Sequence, residues 1–315
     1  MAIIKYLGKR ILSLIIVLLG ISLFSFFLGA ISPGDPAEEV LRRSGVEFPT
    51  DQQLEDMREK MGFNDPWIER YGEWLNNVLH GNLGNSYFDR RDVGSEIARR
   101  LPMTLRLSLL ALAFTVILGI GFGILMALNR NRITDRILKS ISILLLSIPG
   151  FWLALFLILI FSEKLHWLPT SGYNGLKSLI MPAFVLASST VGVTARLTRS
   201  SLIKELGEQY ILVANSKGLT DRKVIVKHAL QNSLIPVITV IGNHFGGILG
   251  GSAIIESVFA LPGLGSYVLS AIDGRDYYVI QGYVLFSGCI YVGVTLLIDL
   301  LYMLVNPKIR QGAGL

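Results

Sequence analysis

Six stretches of this chain are apolar for long enough to cross a bilayer, and they restrict its fold more than any other feature. Hydrocarbon offers no water to backbone N–H and C=O groups, so each stretch must satisfy its own as an α-helix. The runs place spans at 10–31, 103–128, 138–161, 179–195, 234–255 and 279–305. The fourth is short and rich in Ser, Thr and Gly, residues that sit against neighbouring helices rather than lipid. The first run, Ile11 to Ile31, exceeds the roughly 7–15 residues of a cleaved signal core and reads as a retained span. Composition agrees: only 17% of residues are charged, against about a quarter in soluble domains. The fold class is therefore an all-α polytopic membrane protein, and a soluble enzyme core is excluded. Cys289 is the single cysteine, so no intramolecular disulfide or cysteine metal cluster forms.

Charge sets the orientation. With the N-terminus inside, the cytoplasmic segments hold sixteen basic residues against four acidic ones. The outer side holds thirteen against eighteen, and Asp299 lies within the last span. That asymmetry fits the positive-inside rule with both termini cytoplasmic. The net charge of +6 is then a topology signal, and no nucleic-acid partner is implied. The lipid bilayer is. The chain divides into an N-terminal membrane helix (1–31), an external segment with short helices (32–102), a five-helix core (103–305) and a cytoplasmic tail (306–315).

In the external segment, Thr50 with Gln53 reads as a capping box opening a helix that ends at Gly62. Asp65-Pro66 reads as an N-cap followed by proline at the first helical position. Trp67, Tyr71, Trp74, Leu75 and Val78 share one face of the helix that follows. That face either packs on the membrane domain at headgroup level or docks an external partner.

Chemistry within the spans is sparse. Arg106 snorkels outward near the outer edge of the second span, and Asp299 suits an ion pair near the inner end of the sixth. His244 lies in Gly242-Asn243-His244-Phe245-Gly246-Gly247, followed by Gly250-Gly251. Glycines at that density let another helix approach closely or leave room beside a translocation path. Gly246, Gly247, Gly250 and Gly251 are assigned to close packing along the path, with Asn243 and His244 as its polar groups. His244 is the only in-span candidate for a metal, and an ordinary hydrogen bond to a neighbouring helix explains it equally well. No G-x-x-x-x-G-K-[ST] phosphate loop is present, so the chain does not hydrolyse ATP and binds no cofactor of its own. A proton-coupled secondary transporter using His244 and Asp299 is the alternative from another class.

Between Arg196 and Pro236 lies a basic helix–glycine–helix hairpin, placed by charge on the cytoplasmic side. It contains Ala214-Asn215-Ser216-Lys217-Gly218-Leu219 and His228-Ala229-Leu230-Gln231-Asn232-Ser233-Leu234-Ile235-Pro236. With Ser32-Pro33-Gly34-Asp35-Pro36-Ala37, Gly81-Asn82-Leu83-Gly84-Asn85-Ser86, Ser147-Ile148-Pro149-Gly150-Phe151-Trp152, Gly250-Gly251-Ser252-Ala253-Ile254-Ile255-Glu256, Pro262-Gly263-Leu264-Gly265, Arg275-Asp276-Tyr277 and Asn306-Pro307-Lys308-Ile309-Arg310, these stretches carry a resemblance. Over essentially its whole length the chain resembles the B-type permease subunits of peptide and nickel ABC importers.

The resemblance implies a type I importer fold in a bacterial or archaeal cell membrane. It implies a second permease subunit, two cytoplasmic ATPase subunits that hold ATP and Mg, and an external solute-binding protein. Cargo would be small peptides or nickel chelates. The hairpin resembles the family's EAA coupling loop, which assigns Tyr210, Ala214, Lys217, Gly218 and Leu219 to contact with the ATPase. Gly218 would permit the sharp turn and Ala214 the close approach. Leu212-Val213-Ala214 departs from the commonest Glu-Ala-Ala pattern.

Overall fold

The structure, a computed structural model, describes residues 14–27 and 35–305, without the side chains of 43, 248–251 and 297–305. The packing expected of Gly250 and Gly251, the side chain of Asp299 and the tail 306–315 lie outside the described residues. Fourteen helices follow in order: α1 (Leu14–Phe27), α2 (Pro36–Arg43), α3 (Asp51–Lys60), α4 (Trp67–Leu79), α5 (Val93–Phe114), α6 (Gly121–Leu128) and α7 (Ile133–Ser147) come first. Then come α8 (Gly150–Leu157), α9 (Lys177–Leu206), α10 (Gln209–Ser216), α11 (Asp221–Val224), α12 (Leu230–Val258), α13 (Leu264–Gly274) and α14 (Tyr277–Val305). Wider π turns at Thr115–Ile120, Ile158–Lys164 and Ile225–Ala229 join α5 to α6, extend α8 and join α11 to α12. No strand occurs among the described residues.

Four continuous helices are long and apolar enough to span: Val93–Leu128, Lys177–Leu206, Asp221–Gly247 and Tyr277–Leu296. α1 is the described part of the first span. The third span differs from expectation. A single helix over 138–161 was predicted, yet α7 and the α8 segment meet at a bend of 109°. Pro149 is the cause: it lacks an N–H and denies helical geometry to the residue before it, and Ile148 accordingly takes ψ 126. The fourth and fifth spans outrun their apolar runs because helical hydrogen bonding does not stop where lipid does.

The residues form two compact units. One comprises residues up to Met103 with Pro262–Gly293. In it, the aromatic face of α4 packs on α1. Phe26 lies 5.4 Å from Tyr71 and 6.1 Å from Trp74, ring centre to centre, and the hydroxyls of Ser22 and Tyr71 are 2.9 Å apart. Trp74 is buried while Trp67 is exposed. The Thr50–Gln53 capping box forms as expected. Asp65 does not cap α4, because Pro66 is extended and itself occupies the cap position, one residue later than predicted.

A second seam in this unit joins residues 83–97 to α13 and α14. Val93, Ile97, Leu264, Tyr267, Ala271 and Val279 make its buried core. A Cβ on Gly84 would come within 2.7 Å of the Tyr278 ring, and one on Gly282 within 2.8 Å of Val93. Asp276, buried at 2% exposure, accepts from the Ser86 hydroxyl at 2.6 Å and from the Tyr87 N–H at 3.1 Å. Burial pushes its carboxyl above the ordinary range despite these donors. The unfolded chain therefore releases this proton first, and the contribution of Asp276 to stability declines as pH rises through the carboxylate range. Asp276→Ala, which strands both donors, is expected to cost about 1–3 kcal/mol in thermal unfolding of detergent-solubilised protein. An unchanged melting temperature would contradict this.

The other unit runs from Thr104 to Leu261 and resumes at Val294. α9 is its axis, packed against α6, α7, α8, α12 and the first π turn, with fifteen buried residues. The small residues that weakened its hydropathy allow this. A Cβ on Gly119 would sit 2.8 Å from Thr194, and one on Gly123 would collide with Thr198 and the Ala195 carbonyl. One on Gly192 would collide with the Ser142 carbonyl oxygen of α7. At one end of this bundle Arg199 grips Asp135 through two bonds of 2.7 Å. The Asn131 N–H adds a third at 2.9 Å.

Candidate functional site

α10 is the short helix of the Arg196–Pro236 hairpin. Ile211 and Ala214, three residues apart and so on one face, are buried with Ala127, Leu202, Val224 and Ala229, and Leu219 packs beside them. The small side chain of Ala214 thus serves an approach to the protein's own α6 and α9. The opposite face is open, with Leu212 65% and Val213 53% exposed. Tyr210 forms a brace: its hydroxyl donates to the Glu205 carboxylate and accepts from the Asn232 amide at 3.1 Å. Burial and Glu205 both raise its pKa, so the phenol remains a neutral donor. Lys217 caps the helix and is exposed. Gly218 adopts φ +74, with its N–H bonded to the Asn215 carbonyl at 2.9 Å. A Cβ there would meet nothing within 4 Å, so the left-handed turn alone calls for glycine.

The bend at Pro149 opens a cavity of about 400 Å³ beside α9 and α12. Phe151, Ser189, Thr190, His244, Gly247 and Ile255 are on its wall. His244 and Gly247 are exposed, Asn243 is exposed on the same helix, and Gly246 is half-buried. Gly247 is not a close-packing glycine, since a Cβ there meets open space. Among the described residues, no three His, Cys, Asp or Glu side chains gather into a metal site around His244 or elsewhere. Arg106 reaches the Tyr173 hydroxyl at 3.4 Å on the exposed surface.

Residues 119–311 match the family described as binding-protein-dependent transport system inner membrane component, and residues 3–108 match its N-terminal domain. The chain belongs to this permease family. A peptide transport system permease protein of Brucella abortus is 38% identical over 310 residues, covering 96% of this chain and 98% of the relative. The glutathione transport system permease protein GsiC of Shigella flexneri is 38% identical over 306 residues, covering 97% and 99%. Among solved structures, the inward-facing MetNI methionine ABC transporter aligns with a TM-score of 0.57 and 18% identity, covering 67% of this permease and 96% of that chain. An amino acid ABC transporter aligns at 0.52 and 18%, covering 66% and 94%. At that identity these two establish the fold alone, an ABC importer permease fold.

Three features of the permease escaped the sequence reading. Gly119, Gly123 and Gly192 are close-packing glycines of the bundle around α9, and the four-residue spacing of the first two is a signal of that contact. Ser189 looks like any other small residue of the fourth span. The Tyr210 brace depends on Asn232, twenty-two residues away, and no local pattern announces it.

Proposed function

We propose that this permease forms half of the translocation path of an ATP-driven importer of small peptides, glutathione among them. The observation that carries this reading is 38% identity, end to end, with permeases named for peptide and glutathione transport. Nickel chelates are the less favoured cargo, because these relatives are named for peptide and glutathione transport. A proton relay through His244 and Asp299 has no support in the family. The partners are a second permease, two ATPases holding ATP and Mg, and an external solute-binding protein. In this reading both termini and the hairpin lie in the cytoplasm, a placement that the charge asymmetry supports.

α10 is the coupling element in this reading. Its Ile211–Ala214 face is anchored in the permease, and Leu212 and Val213 offer an open apolar face to the ATPase. Closure of the ATPases on ATP would move α10 and, through it, α9 and α12, a rigid-body form of alternating access.

The test is uptake of labelled dipeptide and glutathione by proteoliposomes holding the complete complex and its binding protein. ATP-dependent accumulation of either is expected. Accumulation that persists without the ATPases would refute the reading. In the same assay Gly218→Trp forces a bulky residue into the left-handed region at about 1–2 kcal/mol. It is expected to leave the subunit inserted while lowering uptake by about tenfold or more, as a misdirected coupling helix should. Unimpaired uptake in that variant would remove α10 from the coupling role.

A further inference from the structure

We infer that Ser189 contacts the cargo, and that the wall it shares with His244 recognises a peptide's amide backbone without regard to side-chain charge. This deepens the peptide-import reading above and rests on it. From Met181 to Ala195 every residue of α9 is buried or half-buried except Ser189. Within that stretch the helix opens only at a hydroxyl, and it opens into the cavity that His244 also lines.

That hydroxyl is available. Ser188, Ser142 and Ser147 each return theirs to a carbonyl of their own helix, at 2.8, 2.7 and 2.9 Å. Ser189 makes no such bond within the described residues. Facing lipid, a free hydroxyl is a cost without return. Facing a wet path, it is a donor and acceptor in one group. An imidazole likewise offers a donor and, when neutral, an acceptor. A peptide unit presents one of each, so the pair complements the part that every peptide shares.

The rest of the wall supports this division. Among the described residues no Asp, Glu, Lys or Arg lines the cavity, so no carboxylate, ammonium or guanidinium there selects among cargo side chains. Such a wall passes peptides of differing sequence and leaves selection to the binding protein.

Charge placed at Ser189 tests the inference. In proteoliposomes carrying the full complex, uptake of an Asp-containing and a Lys-containing dipeptide is measured for wild type and Ser189→Asp. Taking the ratio of ratios cancels the binding protein's own preference. A new carboxylate on the wall is expected to shift that ratio against the acidic peptide by about tenfold. An unchanged ratio overturns the inference. Wild-type complex that takes up neither peptide refutes the function itself.

Where Ser189→Asp does not assemble, Ser189→Cys with Cys289→Ser provides the second readout. Maleimide labelling of Cys at 189 is expected to slow when peptide-loaded binding protein and a nonhydrolysable ATP analogue are present. Labelling unaffected by cargo, or blocked merely by adding the second permease, places Ser189 off the path and overturns the inference.

Discussion

Gly192→Leu is expected to prevent the permease from reaching a stable fold. The Cβ alone would collide with the Ser142 carbonyl oxygen, and Leu146 stands 3.5 Å away on the same helix. A backbone oxygen has no rotamer to escape into, so α7 would have to retreat from α9 as a body. Overpacking costs about 1–3 kcal/mol where side chains can adjust, and more where backbone must move. In lipid the loss is harder to offset, because helix association relies on close van der Waals packing rather than on expulsion of water. Gly192→Ala brings only the Cβ and is expected to destabilise less. Gly247→Ala is the control: nothing lies within 4 Å of its Cβ, and a change within about 0.5 kcal/mol is expected. Thermal unfolding in detergent, followed by size-exclusion fluorescence, ranks the three. A Gly192→Leu protein as stable as wild type would show that α7 and α9 do not meet here.

Arg199→Leu is expected to cost about 3 kcal/mol, from the loss of one partner in a largely buried pair. Asp135 is 5% exposed at its side chain and Arg199 24%, so the carboxylate is left behind in a poorly solvated place. Its remaining donor would be the Asn131 N–H at 2.9 Å. Removing both charges, in Asp135→Leu with Arg199→Leu, is expected to recover most of the loss, since nothing uncompensated then stays buried. Arg199→Lys should restore little, because the carboxylate is held through two separate guanidinium nitrogens. Additive effects of the two single substitutions in a double-mutant cycle would count against the pair.

Both predictions concern α9, the element whose sequence was hardest to weigh. Ser188, Thr190, Thr194 and Thr198 lower its hydropathy, yet each is buried. Hydropathy reports contact with lipid, and a helix enclosed by other helices has little need of it. Direction was equally hidden. Ser147-Ile148-Pro149-Gly150 announces a break, but the 109° turn depends on what the two halves pack against. Density of glycine is a poor guide to close packing: Gly247 in the dense 242–251 stretch meets open space, whereas Gly119 and Gly123 are in tight contact and only their spacing signals it. By contrast the capping box of α3 and the aromatic face of α4 were legible, because each follows from residues within one or two turns. The hairpin lay between. Its glycine turn is local, whereas Tyr210 and Ala214 take their contacts from Glu205, Asn232, Ala127 and Leu202.

The joint between α9 and α10 is two residues long, Gly207 and Glu208, with the Gly207 N–H bonded back to the Lys204 carbonyl and that of Glu208 to Glu205. Tyr210 straps the same corner to α12 through Asn232. In the coupling role proposed for α10, a corner this short and this tied would pass a displacement of the small helix to α9 and α12 with little slack.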